Sequence, residues 1–181
     1  RWPLLFYPRF MYAWRWPMRR HLPTLLAALA LPLMAMTAAA APRLDPGETG
    51  HGPADAQAMV ARAVAYFDAH GEAAGLAEVT RGPRAFNDGD LYVFVYDLDG
   101  TCRAHARRPG QAGSNLRGIR DRNGVAFIQD WIRIARSPAG AGWSRYDYAH
   151  EASGRVLEKQ AYIQRSGDLL IGVSAFLYPD A

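Results

Sequence analysis

LYVFVYDLDGTCRAH, residues 91–105, is the stretch whose reading decides the fold. Its first half alternates: Leu91, Val93 and Val95 project to one side, Tyr92, Phe94 and Tyr96 to the other. Period-two alternation of β-branched and aromatic residues marks a strand. Neither side is polar, so the strand should be central, covered on both faces. Asp97-Leu98-Asp99-Gly100 then supplies turn chemistry, with Gly100 free to take the positive φ of a tight hairpin. The return to His105 is more polar, which places it nearer an edge. Three aromatic rings on one face need a cover, and either a helix or a bound molecule can provide it.

Upstream, the pattern turns helical from Ala54. Val60, Ala63, Val64 and Phe67 form one stripe, with Met59 and Tyr66 beside it and Gln57, Arg62 and Asp68 facing away. Asp55 is a candidate cap. His70-Gly71 marks a break, after which residues 72–79 suit a second helical piece. Downstream, residues 107–123 are basic, Gly-rich and aperiodic, too long for a plain connector. Residues 125–135 follow as an amphipathic helix, with Phe127, Ile128, Trp131, Ile132 and Ala135 on its apolar side. Three strands are then expected at 143–148, 156–165 and 169–178, separated by turns at Ser153-Gly154 and Ser166-Gly167-Asp168. The last is apolar on both faces and belongs beside residues 91–96. Helix, β, β, helix, β, β, β points to an α+β domain with an antiparallel sheet.

The N-terminus reads differently. Met18-Arg19-Arg20-His21 is basic, residues 22–36 are an apolar run, and Thr37 to Pro42 offers the small-residue pattern of a signal peptidase site. The run is about fifteen residues, short of the roughly twenty that span a bilayer. We expect residues 18–41 to be a cleaved signal peptide, residues 1–17 to lie upstream of the true start, and residues 42–53 to be a linker. A membrane association is expected only if the signal stays uncleaved. Residues 54–181 then form one domain, periplasmic or secreted.

Removing the leader changes the charge argument. Arg1, Arg9, Arg15, Arg19 and Arg20 are five of the 21 basic residues, and none of the 17 acidic ones precede Pro42. The remaining 16 basic and 17 acidic residues sum to −1. The basic pI of about 9.5 belongs to the precursor and offers no support for nucleic-acid binding. Cys102 is the only cysteine, so no internal disulfide can form.

Enzyme signatures are missing. His150-Glu151 lacks the second histidine of a zinc helix, and the five histidines show no metal-ligand spacing. There is no Gly-x-Ser-x-Gly motif, and Cys102 has no nearby histidine in a known pattern. Asp97 and Asp99 have the look of a calcium loop without its later glutamate, and a hairpin turn explains them better. Nothing calls for a cofactor or a metal.

Six motifs in order carry a resemblance: FNDGDLYVFVYDLDG (86–100), AHA (104–106), GSNL (113–116), RDRNG (120–124), GWSRYDY (142–148) and EKQAYI (158–163). Over residues 54–178 the chain resembles a single Cache domain of the second type. His105-Ala106 stands where that family usually has His-Pro, and His150-Glu151 where it often has a proline. The resemblance implies an extracytoplasmic domain with a PAS-like, five-stranded antiparallel sheet, a long N-terminal helix and a site for a small organic ligand. Family members commonly sit between membrane helices of a chemoreceptor or histidine kinase. Here the sequence stops at Ala181, directly after the last strand, so a domain without its own transmitter is expected, with a membrane-bound signalling protein as partner.

Lys159 is the only lysine beside twenty arginines. A compact ammonium on a strand flanked by Tyr146, Tyr148 and Tyr162 suits a ligand carboxylate. Lys159 and Tyr162 are three apart, so on a regular strand only one of them reaches a given face. Trp143, Tyr146 and Tyr148 lie on a strand expected near the edge, where aromatics with polar tips fit a cleft. Tyr92, Phe94 and Tyr96 are candidate lining, although such residues on a central strand are more often core. His105 gains weight from its match to the family's histidine, and Arg117 and Arg120 are placed to close over an anion.

The long helix covers one side of the sheet, which leaves the aromatic side with room for a guest under residues 107–123. The expected function is recognition of a small, anionic organic molecule. The alternative is a protein–protein interaction module with a vestigial pocket.

Overall fold

The computed structural model describes residues 51–178. The expected upstream stretch, the signal peptide and most of the linker lie outside the described residues.

Helix α1 (Pro53–Arg81) begins one residue before the expected start, with Pro53 in its first turn. Asp55 is not the cap itself. The cap is Gly52, whose N–H donates to the Asp55 carboxylate at 2.9 Å from the third helical position. His51 also belongs to the domain, with its Nδ1 3.5 Å from an Asp90 carboxylate oxygen. At Gly71 the backbone leaves helical geometry (φ 80°, ψ 168°), so α1 is two helical pieces meeting at a kink where His70-Gly71 predicts a break. Gly75 then lies against the Phe67 ring, where an added Cβ would be only 2.6 Å from ring carbons. Gly82, in the left-handed region, ends the helix by donating to the carbonyls of Glu78 and Val79.

The sheet has six strands: β1 (Asn87–Asp88), β2 (Leu91–Asp97), β3 (Cys102–His105), β4 (Ala141–Ala149), β5 (Val156–Ser166) and β6 (Leu169–Phe176). The order is β1-β2-β6-β5-β4, every pair antiparallel, with β3 also on β2. The strand beyond the expected five is the two-residue β1, which pairs with the start of β2 while β3 pairs with its later half. Residues 91–97 are central and β6 lies beside them, with Val93 opposite Val173 and Val95 opposite Ile171. Both strands are buried because both of their faces are covered.

Period-two alternation sorts the side chains. Helix α1 packs on β2, β3, β5 and β6, covering the face of Leu91, Val93 and Val95. Helix α2 (Phe127–Ala135) packs on β4, β5 and β6 and brings Trp131 onto Phe94, so it covers part of the aromatic face. Residues 107–126 close the rest of that face. They include a 3-10 turn at Pro109–Gln111 and are tied to the first hairpin by Gly113 N–H to Cys102, Cys102 N–H to Ser114 and Leu116 N–H to Gly100. Gly100 (φ 90°) makes the hairpin turn, with Asp97 Oδ1 accepting the N–H groups of Asp99 and Thr101.

Candidate functional site

Between the aromatic face, α2 and the 107–126 segment lies a cavity of about 80 Å³. At about 30 Å³ per water in the liquid, that is room for two or three waters, or a small guest in their place. The strands contribute Tyr92, Phe94, Tyr96, His105, Tyr146 and Tyr148, and the covering elements contribute Gln111, Leu116, Ile119, Phe127, Ile128 and Trp131. Phe94 can lie flat because its neighbour on β6 is Gly172, where a Cβ would overlap the ring. Trp131 stacks on Phe94 at 4.5 Å and Phe127 on Tyr146 at 4.4 Å. Tyr146 also shares a 2.8 Å hydrogen bond with Ser174.

Lys159 is wholly buried and lines neither this cavity nor its neighbour. Its ammonium donates to the Tyr92 hydroxyl at 3.0 Å and lies over the rings of Phe176 (4.2 Å), Tyr92 (4.6 Å) and Tyr148 (5.5 Å). Those three rings also line a second cavity of about 200 Å³, together with Asp90, Arg107 and Glu151. Tyr92 and Tyr148 belong to both cavities and form the wall between them, with Lys159 behind it. Burial pushes the lysine down to about 7, with Arg107 adding to the shift while Tyr148, Asp90 and Glu151 oppose it.

His105 stacks on Tyr92 at 4.9 Å. Its Nδ1 accepts the backbone N–H groups of Arg107 (3.2 Å) and Arg108 (3.1 Å), which leaves the proton of the neutral ring on Nε2. Burial, then Arg108, Lys159 and Arg107, hold it down to about 4. The arginines are themselves anchored. Arg107 lies 4.7 Å over the Tyr92 ring and donates to Asn87 and the Gly89 carbonyl. Arg108 donates to the Tyr148 hydroxyl at 2.7 Å and pairs with Glu151. Tyr92, Tyr96 and Tyr146 all titrate above the ordinary phenol range, chiefly through burial, so their hydroxyls stay neutral.

Of the residues expected at a site, Phe94, Tyr96, His105, Tyr146 and Tyr148 come together around the cavity, with Lys159 behind them. Tyr162 and Trp143 do not join them. They stand opposite one another on β5 and β4, pack together at 4.9 Å, and face the other side of the sheet, because no bulge breaks the β5 alternation between Lys159 and Tyr162. Arg117 is also displaced. Its side chain is exposed, and its carbonyl accepts from Gln129 at 3.1 Å, outside the cavity. Arg120 likewise donates to Gly124 rather than inward. Tyr92, weighed as lining with Phe94 and Tyr96, does line the cavity, and Trp131 is the residue that sequence reading misses. Tyr92 shares the alternating face of Phe94, and Trp131 lies on the apolar stripe of α2, but nothing in either pattern separates lining from plain core.

The Cache domain family pattern matches residues 73–175. The chain belongs to the Cache domain family. Among solved structures, this Cache domain is similar to a methyl-accepting chemotaxis protein from Vibrio parahaemolyticus, at 20% identity and a TM-score of 0.58 over 68% of this chain and 86% of that one. A periplasmic sensor domain of a chemotaxis protein is similar at 22% identity and a TM-score of 0.53, over 69% and 90%. A third structure, described as the basis for carboxylic acid recognition by a Cache chemosensory domain, is similar at 20% identity and a TM-score of 0.56, over 69% and 92%. At these identities the likeness establishes a shared fold. No curated protein sequence matches the chain.

Proposed function

We propose that this Cache domain is an extracytoplasmic sensor that takes a small organic acid into the aromatic cavity, exported by its N-terminal signal and read by a separate membrane-bound partner rather than by an enzymatic activity of its own. The observation that carries this reading is the state of Lys159. It is fully buried, its one hydrogen bond is to a phenol, and no carboxylate among the described residues pairs with it. A buried ammonium with no carboxylate in contact is costly, so an acid arriving next to it gains more than the same acid gains at the surface.

The ammonium acts through Tyr92. Because the Tyr92 oxygen accepts from Lys159, its own O–H is left to donate, and the adjacent cation makes it a stronger donor. The Nε2–H of His105, stacked against the same ring, supplies a second donor. A carboxylate against this pair would have two directed hydrogen bonds and a cation behind them. The solved Cache domain whose description names carboxylic acid recognition supports the same ligand class.

The test is calorimetric titration of short carboxylic acids into the chain and its Lys159→Met variant. A charge-assisted contact is worth roughly 1.5–3 kcal/mol, so the variant should bind about ten- to a hundredfold more weakly. Equal binding by the two forms would overturn the role of the lysine, and no binding of any acid would favour a protein-interaction role.

A further inference from the structure

Along the outer side of α2 lies an open groove of about 710 Å³, separate from both cavities. The 107–126 segment contributes Arg117 and Val125 to it, and the helix contributes Asp130, Ile132, Arg133 and Arg136. Gln129 ties the two elements together by donating to the Arg117 carbonyl at 3.1 Å, so the groove is preformed. Val125, 39% exposed, and Ile132 give it an apolar part.

The charge of this groove is one-sided. Three guanidinium groups face a single carboxylate, that of Asp130, which Arg133 already engages. Arg136 is held by the Leu98 carbonyl at 3.1 Å, with the exposed Asp99 3.8 Å away. The Arg117 side chain is exposed and its guanidinium makes no hydrogen bond or ion pair among the described residues. After Ala41 the chain has 16 basic and 17 acidic residues, so the cationic excess here is local. The groove also shares an element with the aromatic cavity. Phe127, Ile128 and Trp131 of α2 line the cavity, while Ile132, Arg133 and Arg136 of the same helix line the groove.

We propose that this groove docks an extended, acidic and partly apolar segment of the membrane-bound partner. The inference rests on the reading that a separate partner senses this domain, and not on which guest fills the aromatic cavity. Charge complementarity sets the sign of the segment: its carboxylates pair with the arginines, and an apolar side chain between them covers Val125. The nine residues of α2 extend about 13 Å, which about four residues of extended chain would span. A segment seated there bears on the helix that closes the aromatic cavity, so the partner is placed to sense how α2 sits. The groove is concave, which suits a chain segment better than a flat bilayer.

Three probes test this on the full chain: a fluorescein-labelled peptide of alternating Glu and Leu, its Gln–Leu counterpart, and phosphatidylglycerol vesicles. By anisotropy the Glu–Leu peptide should bind, and Arg117→Glu and Arg133→Glu should each weaken it about tenfold or more. High salt should weaken it as well, and the Gln–Leu peptide should not bind. The backbone amide resonances of Val125 and Gln129 should move as the Glu–Leu peptide saturates. Should charge reversal lower the melting temperature, Arg117→Gln and Arg133→Gln should give the same pattern with smaller losses. Peptide binding that ignores these substitutions, or no peptide binding at all, overturns the groove. Vesicle binding that Arg117→Glu abolishes, without peptide binding, assigns the surface to an anionic bilayer and overturns it too. None of these results touches the acid titrations above, which both arginine variants should reproduce as wild type. Peptide binding in a chain that takes no acid would leave the docking groove standing and remove the acid-sensing reading alone.

Discussion

Lys159 and Tyr92 meet across the sheet: the β5 ammonium reaches over β6 to donate to the β2 hydroxyl at 3.0 Å. This contact joins the chain's single lysine to the wall shared by two cavities. Tyr92 lines both cavities, whereas Lys159 lines neither.

Tyr92→Phe should therefore be more harmful than Lys159→Met. Removing the hydroxyl strands a buried ammonium, at a cost of roughly 1–3 kcal/mol or more, while removing the ammonium leaves a neutral phenol in an aromatic setting. We expect denaturant unfolding to show Tyr92→Phe destabilised and Lys159→Met near wild type or above it. The double variant should recover most of the loss. Additive losses in the double variant would show that the two groups are not coupled.

The pH dependence follows from the same burial. Lys159 falls from its ordinary 10.5 to about 7 in the folded chain, so between those values the unfolded state binds the extra proton. Its contribution to stability is fully present above about 10.5, is lost as pH falls toward 7, and changes little below that. His105 falls from 6.5 to about 4, which adds a second loss as pH drops through that window. Unfolding measured from pH 4 to 10 should show stability rising with pH in both windows. Lys159→Met should flatten the upper one alone, and His105→Gln the lower one.

Acid binding should run the other way. An anion favours the charged lysine, so binding near neutral pH takes up a proton and weakens as pH rises above about 7. Titrations in buffers of different ionisation enthalpy should detect that uptake, and Lys159→Met should abolish it.

Gly172→Ala tests the geometry under Phe94. The new Cβ would overlap the Phe94 ring and fall 2.7 Å from Ile163 Cδ1. Overpacking of this kind costs about 1–3 kcal/mol. The variant should melt lower and bind acids less well, because Phe94 carries the stack that holds Trp131. A variant with unchanged melting and affinity would show that the ring has another place to go.

Export is tested at the N-terminus. Protein recovered from the periplasm should begin at or near Ala41 or Pro42 by intact mass. An uncleaved chain in the membrane fraction would contradict a cleaved signal.

Much of this domain is written locally. The alternation of residues 91–96, the kink at Gly71, the hairpin at Gly100 and the apolar stripe of α2 each express a period or a backbone constraint that acts over a few residues. These determined an α+β domain whose central strand turns an aromatic face away from its long helix, and they made six of the cavity's aromatic and histidine positions legible. Strand parity even carried the separation of Lys159 from Tyr162, since a spacing of three on an unbroken strand puts them on opposite faces.

What only the tertiary structure decided is which polar atoms meet. Arg107 and Arg108 stay near His105 because they follow it by two and three residues, but residues 107–126 have no period, so nothing local sends the Arg108 guanidinium to Tyr148 or leaves Arg117 outside the cavity. The hydrogen bond from Lys159 to Tyr92 spans 67 positions and depends on the register of three strands. Trp131 lines the cavity because the packing of α2 on the sheet lays its indole on Phe94. Periodicity fixes the direction of a side chain, whereas recognition depends on the distances between groups far apart in sequence, and those exist only once the layers have packed.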